Sequence, residues 1–153
     1  MEPVQLRLLR YVQESLEFDL KNLGRLDSVC VRDAESSWDN YSFDGLTIVM
    51  GTTAESGGTV GKDDYGYQFA IVTSTGNPNG SDAEAQRWPA EFQKIIRDRF
   101  SNQRIPSAQQ IPECFICSTR FGSFLDKRLL KFGKSVSSMT VICWCREVRP
   151  ELS

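Results

Sequence analysis

Residues 65–74 read Tyr-Gly-Tyr-Gln-Phe-Ala-Ile-Val-Thr-Ser, and residues 88–106, one turn and half a helix later, read WPAEFQKIIRDRFSNQRIP. The first stretch is rich in aromatic and β-branched side chains, which suit a pleated, half-buried surface, and it predicts the strongest strand of the chain. Asn77-Pro78-Asn79-Gly80 turns the chain after it. Ser81 or Asp82 can then cap a helix, with Glu84 placed in the first turn where the helix dipole favours an acid. In that helix, which runs to about Asn102, Trp88, Phe92, Ile95, Ile96 and Phe100 fall on one apolar face, a pattern that reads as core. Pro89 is expected near the helix start, where its missing N–H matters least.

Toward the N-terminus, residues 51–64 (GTTAESGGTVGKDD) read as a long Gly/Thr/acid loop, and 46–50 as a strand. A polar stretch, 32–42, separates it from a short strand pattern at 26–31. Residues 4–23 form a helical pattern with Leu9, Val12, Leu16, Leu20 and Leu23 on its apolar face and Gly24 as C-terminal cap. In the other direction, 111–119 and 136–148 read as strands around a mixed segment, 121–134 (FGSFLDKRLLKFGK). The expected order is α-β-β-β-α-β-β. This is an α+β fold in one domain, 1–153, with two helices packed on one face of a mostly antiparallel five-stranded sheet. Such an arrangement leaves the other face and the sheet edges available for partners.

The chain has 153 residues, 40% hydrophobic and 25% charged, which suits a folded domain and excludes a disordered one. Apolar runs such as 69–72 are too short for a membrane-spanning helix. The N-terminal MEPVQLRLLR has no apolar h-region, so no secretory signal is expected there. The sequence contains no histidine, which removes the commonest general base and metal ligand together with every Ser–His or Cys–His pair. The acids lie in loops without the spacing of a calcium site. The stretch GGTVGK is not a phosphate-binding loop, because Ser56 stands where the first glycine belongs and Asp63 follows the lysine. No catalytic residue, metal or cofactor is expected, and the chain reads as a protein that is not an enzyme.

Eighteen Lys and Arg stand against twenty Asp and Glu, giving a net charge of −2. That balance disfavours a nucleic-acid grip. Arg87, Lys94, Arg97, Arg99 and Arg104 give the second helix a moderately basic outer face, but its aromatics belong to the buried side and cannot stack on bases. Charge is uneven: Asp33, Glu35, Asp39, Asp44, Glu55, Asp63 and Asp64 crowd 33–64, while Arg120, Lys127, Arg128, Lys131 and Lys134 crowd 120–134. These are either two solvated segments or complementary patches that meet between copies of the chain. Four of the five cysteines form Cys114-Phe-Ile-Cys117 and Cys143-Trp-Cys145, a set able in principle to close a zinc site. In regular strands, Cys114 and Cys117 would face opposite sides of the sheet, so the expectation is buried thiols without a metal.

The order of elements, with the run from Trp88 to Pro106, resembles the tail terminator (tail-completion) proteins of long-tailed bacteriophages. In their second-helix region a helix opening on Trp closes on I-R-x-x-F-x-N-Q-R-L-P before the next strand; here the run is Ile96-Arg97-Asp98-Arg99-Phe100-Ser101-Asn102-Gln103-Arg104-Ile105-Pro106. The acidic 33–44 stretch and the cysteine-rich closing strand depart from the family's pattern. The resemblance implies a structural virion protein, made in the host cytoplasm, that forms a homohexameric ring. That ring ends tail-tube growth and meets the tail tube protein and the head connector or stopper proteins, while genomic DNA passes through without sequence-specific binding. Within it, Asp39, Asp44, Asp63 and Asp64 facing Arg120, Lys127, Arg128 and Lys131 are the expected self-association residues. Glu55, Gly57, Gly58, Val60 and Lys62 are the expected contact with tube or connector. Another neck protein (a stopper or head–tail adaptor), or a small intracellular α+β binding domain that dimerises by a sheet edge, is the alternative reading.

Overall fold

The structure is a computed structural model that describes residues 2–22, 29–31, 45–51, 53–59, 62–76, 82–121 and 134–148. Its elements run α1 (Val4–Asn22), β1 (Val29–Val31), β2 (Gly45–Met50), β3 (Ala54–Thr59), β4 (Lys62–Gly76), α2 (Asp82–Phe100), β5 (Cys114–Phe121) and β6 (Lys134–Val148). The fold is α+β, with two helices and a mostly antiparallel sheet among the described residues. No helix among them is long and apolar enough to cross a membrane.

The strand read from 65–74 is the spine of the sheet, and it is longer than expected. β4 pairs along its whole length with β6, from Lys62 opposite Val148 to Gly76 opposite Lys134. Its other edge is shared: β2 takes the half from Phe69 to Ser74, and β3 takes the half from Lys62 to Gly66. β5 lies outside β6, and β1 runs parallel to β2. Residues 51–64, expected as a loop, therefore hold a strand. Gly, Glu and Ala are poor strand formers in isolation, but the strong partner strand β4 supplies the hydrogen-bond ladder that the AESGGT sequence of β3 does not advertise.

Alternation sorts the spine into two faces. Phe69, Ile71 and Thr73 of β4, with Ser137, Met139, Val141, Cys143 and Cys145 of β6 and Leu46 and Ile48 of β2, point one way, and each is at most 1% exposed. Both helices close over this face in one core. α1 contributes Val4, Leu8, Tyr11, Val12, Leu16 and Leu20, so the buried stripe passes through Leu8 rather than Leu9, which sits at its flank. α2 contributes Phe92, Ile96 and Phe100, with Ile95 packed at the margin. Fully burying each such side chain is worth about 1.5–3 kcal/mol, which makes this face the main source of stability. The helices are tied by Arg99, which donates from Nε to Asp19 Oδ2 at 3.0 Å and from Nη2 to Asp19 Oδ1. Arg7 of α1 reaches the turn before β5, donating to Glu113 at 3.0 Å and to the Gln110 carbonyl at 3.2 Å.

α2 begins at Asp82, which puts Pro89 about two turns inside the helix rather than in its first turn. The helix stops because Asn102 adopts a left-handed backbone, φ 53°, a conformation that Asn tolerates better than most residues. Gln103 then accepts a hydrogen bond from the Cys117 N–H at 2.8 Å, so the exit of α2 is stitched to the outer edge of β5.

One correction concerns the cysteines. The ladder between β5 and β6 is regular from Phe121–Met139 back to Ile116–Trp144 and then shifts, so that Cys114 pairs with Cys145 while Cys117 pairs with Cys143. The bulge adds a residue between them. Two cysteines three apart, which a regular strand would send to opposite faces, thus share the helix-covered face.

Candidate functional site

Arg146 and Asp64 sit directly opposite each other on β6 and β4, on the face away from the helices. Arg146 grips the carboxylate with two donors, Nε at 2.7 Å and Nη2 at 2.9 Å. This planar fork holds the Asp64 carboxyl below the ordinary carboxylate range. The same guanidinium lies 5.9 Å from the centre of the Phe115 ring, and Phe115 is 45% exposed. Next along the ladder, Trp144 lies flat across Gly66. A Cβ on Gly66 would stand 2.8 Å from the indole Cζ3, so only glycine leaves room for the ring. Beyond it come half-buried Ile142, Ile116 and Gln68, then Arg120, which donates to Gln68 Oε1 at 3.2 Å. The result is a band of aromatic and aliphatic surface rimmed by arginines. Toward β2 the same face changes character, because Thr47 and Val72 are buried there.

The expected self-association residues are thus only partly in a position to meet a neighbour. Asp64 is engaged within its own chain, whereas Arg120 lies on the exposed rim of the band. Asp63 precedes Asp64 in β4 and pairs with Glu147, so the two acids belong to a paired strand and not to a loop cluster. Asp39, Asp44, Lys127, Arg128 and Lys131 lie outside the described residues. Of the expected tube or connector contacts, Glu55, Gly57 and Gly58 lie in β3 and Lys62 opens β4, while Val60 lies outside the described residues. Glu55 pairs in register with Tyr65 and Lys62 with Thr59, so this segment is a paired hairpin rather than a free loop.

The basic side of α2 is also internally engaged: Lys94 bonds Asp98 at 2.7 Å, Arg99 bonds Asp19, and Arg97 lies over the Phe121 ring at 5.7 Å. A groove of about 470 Å³ between α1 and the exit of α2 is lined by Tyr11, Asp19, Arg99, Arg104 and Pro106. Its two central charges satisfy each other. On the covered face, Tyr67 donates its hydroxyl to Glu147, and burial followed by that carboxylate pushes the phenol well above its usual range. Nearby, the Cys117 sulfur lies 3.9 Å from that of Cys114 and 3.7 Å from that of Cys143, while the Cys145 thiol donates to the Cys143 carbonyl at 3.6 Å. Its neighbour Cys117 favours a thiolate at Cys114, and that charge together with burial pushes the other three thiols up, Cys117 to about 12.

The sequence matches no family model and no curated protein. Sequence reasoning missed the band formed by Trp144, Ile142, Arg146 and Phe115, although alternation in Ile142-Cys143-Trp144-Cys145-Arg146 already separates those residues from the thiols.

Proposed function

We propose that this chain is a structural protein of a bacteriophage neck, a tail terminator that closes into a ring, ends tail-tube growth and joins the tail to the head connector. The observation that carries the reading is the work done by the Ile96–Pro106 run. Ile96 and Phe100 are core residues, Asn102 ends α2, Gln103 holds the edge of β5, and Ile105 packs back on the core. The residues that carry the resemblance are those that couple helix to closing strands. The same bond occupies the outer edge of β5 at Cys117, which disfavours dimerisation by strand addition there. A ring instead needs two different patches that meet head to tail. The Trp144–Phe115 band with Arg120 supplies one. Lys127, Arg128 and Lys131 continue the basic sequence from it, toward the acids Asp39, Asp44 and Asp63 of a neighbouring copy. Glu55, Gly57, Gly58, Val60 and Lys62, in and beside the hairpin, face the tail tube or connector, and DNA passes through the ring without being read.

Negative-stain electron microscopy of the concentrated protein tests this. Closed six-fold rings with a hole wide enough for duplex DNA support the reading, and reversing the charges of Lys127, Arg128 and Lys131 should then dissolve them. A uniform two-fold dimer overturns it. If the protein is monomeric alone, it is added to uncapped tail tubes: tubes fixed at one length support the reading, and continued growth defeats it.

A further inference from the structure

We propose that Cys114, Cys117 and Cys143 form a reversible peroxide-oxidised site, in which Cys114 takes the oxidant and a disulfide from Cys117 to Cys143 then ties β5 to β6. The proposal stands on this chain's own geometry and is independent of the neck reading.

The three sulfurs stand in a row with Cys117 in the middle. Its sulfur is 3.9 Å from that of Cys114 and 3.7 Å from that of Cys143, and all three are free thiols. Either neighbour can bond to Cys117 after a shift of about 2 Å, since a disulfide is about 2.05 Å long. Cys117 and Cys143 are also direct partners in the β5–β6 ladder. The Cys117 N–H points away from β6, to the Gln103 carbonyl at 2.8 Å. The two residues are therefore a non-hydrogen-bonded pair, the kind in which opposite Cα atoms approach to about 4.5 Å and side chains lie closest. That separation falls at the short end of the window of about 4.4–6.8 Å that a disulfide requires, where strain keeps the bond reducible. Cys145 stands outside the row, because its thiol donates to the Cys143 carbonyl at 3.6 Å.

Exposure orders the row. Cys114 is 8% exposed, Cys117 1% and Cys143 0%, so a small oxidant meets Cys114 first. The bulge between Cys114 and Ile116 is what puts Cys114 on the same face as Cys117. Charge follows the same order, since Cys117 favours a thiolate at Cys114 and is itself pushed up to about 12. A thiolate beside a second cysteine is the arrangement that peroxides oxidise reversibly. The Cys114 sulfur attacks hydrogen peroxide, the O–O bond breaks, and a sulfenic acid and hydroxide form. That hydroxide takes up the proton Cys114 had lost to solvent. The Cys117 sulfur then attacks the Cys114 sulfur. The S–S bond forms, the S–O bond breaks, and the leaving hydroxide departs as water with the Cys117 proton. Cys143 next attacks Cys117, and Cys114 leaves with the Cys143 proton. The net change is two thiols and one peroxide to one disulfide and two waters, with Cys114 regenerated.

The test uses the full chain, reduced and then treated with hydrogen peroxide under native conditions. Tryptic mapping reads the product: a bond from Cys117 to Cys143 joins peptide 105–120 to peptide 135–146, and fragmentation separates Cys143 from Cys145. The expected result is that link, removed again by dithiothreitol. Cys114→Ser should slow its formation at least about tenfold, because the exposed entry thiol is gone. Cys143→Ser should stop the sequence at a Cys114–Cys117 bond, seen as peptide 105–120 lighter by two hydrogens, whereas Cys30→Ser, in β1, should leave the link unchanged. Should a variant fail to fold, wild-type protein decides alone: dimedone, which traps sulfenic acids, should label Cys114 and block the link. Folded protein that forms no link, or forms it only in denaturant, overturns the proposal. So does dimedone capture at Cys117 or Cys143 instead of Cys114, or a Cys114→Ser variant that links at the wild-type rate.

Discussion

The two faces of the β4–β6 ladder are built from alternate residues of the same two strands, yet they behave as different materials. Facing the helices, Phe69 pairs with Val141 and Ile71 with Met139, all at most 1% exposed. Facing away, Gly66 pairs with Trp144, Gln68 with Ile142 and Ala70 with Thr140, and Gln68, Ala70, Thr140, Ile142 and Trp144 are half-buried. Strand periodicity assigned the residues to sides, but the helices decided which side became the core. The away-facing side is not simply polar, and its Trp, Ile and Phe residues form a partly exposed apolar band.

The sharpest way to break that comparison is a matched pair of truncations. Phe69→Ala on the covered face should cost about 3–5 kcal/mol in urea unfolding, through lost transfer energy and the cavity left behind. Phe115→Ala on the opposite face should cost under about 1 kcal/mol. Equal losses would mean that the second face is also core. A middling effect is expected at the glycines. Gly66→Ala forces a Cβ into the Trp144 ring and should cost about 1–2 kcal/mol, and the penalty should shrink in a Trp144→Leu background because the two sites touch. Gly51→Ala, whose Cβ would meet Gln68 at an ordinary 3.5 Å, should change stability by less than about 0.5 kcal/mol. The smallest effect belongs to the exposed Asp64–Arg146 pair. Because Asp64 is held below its unfolded value, its contribution is present at neutral pH and fades as acid protonates it through that lowered value. Unfolding curves of wild type and Asp64→Asn should therefore differ slightly at pH 7, converge toward acid, and converge again in high salt.

Much of this was legible locally. The aromatic and β-branched run at 65–74 identified the spine, and the spacing of Phe92, Ile96 and Phe100 identified the buried stripe of α2. Three features were not. β3 escaped because Ala54–Thr59 carries no strand signal of its own and is a strand only beside β4. Asp64 looked like a free acid because Arg146, its partner, is 82 residues away. Cys114 and Cys117 looked divided between faces because a bulge is a property of two strands in register, not of one.

By itself the sequence determined the two helices and the spine strand, the alternation that separates Cys143 and Cys145 from Ile142 and Trp144, and the absence of histidine chemistry, since all of these follow from residue identity and spacing along one strand or helix. Tertiary structure alone decided that Cys114 and Cys117 share one face, that Trp144 rests on Gly66, and that Arg146 engages one acid of the adjacent pair. Each depends on which distant residue the hydrogen-bond ladder sets opposite, and that choice is made by the closing of the whole sheet under its two helices.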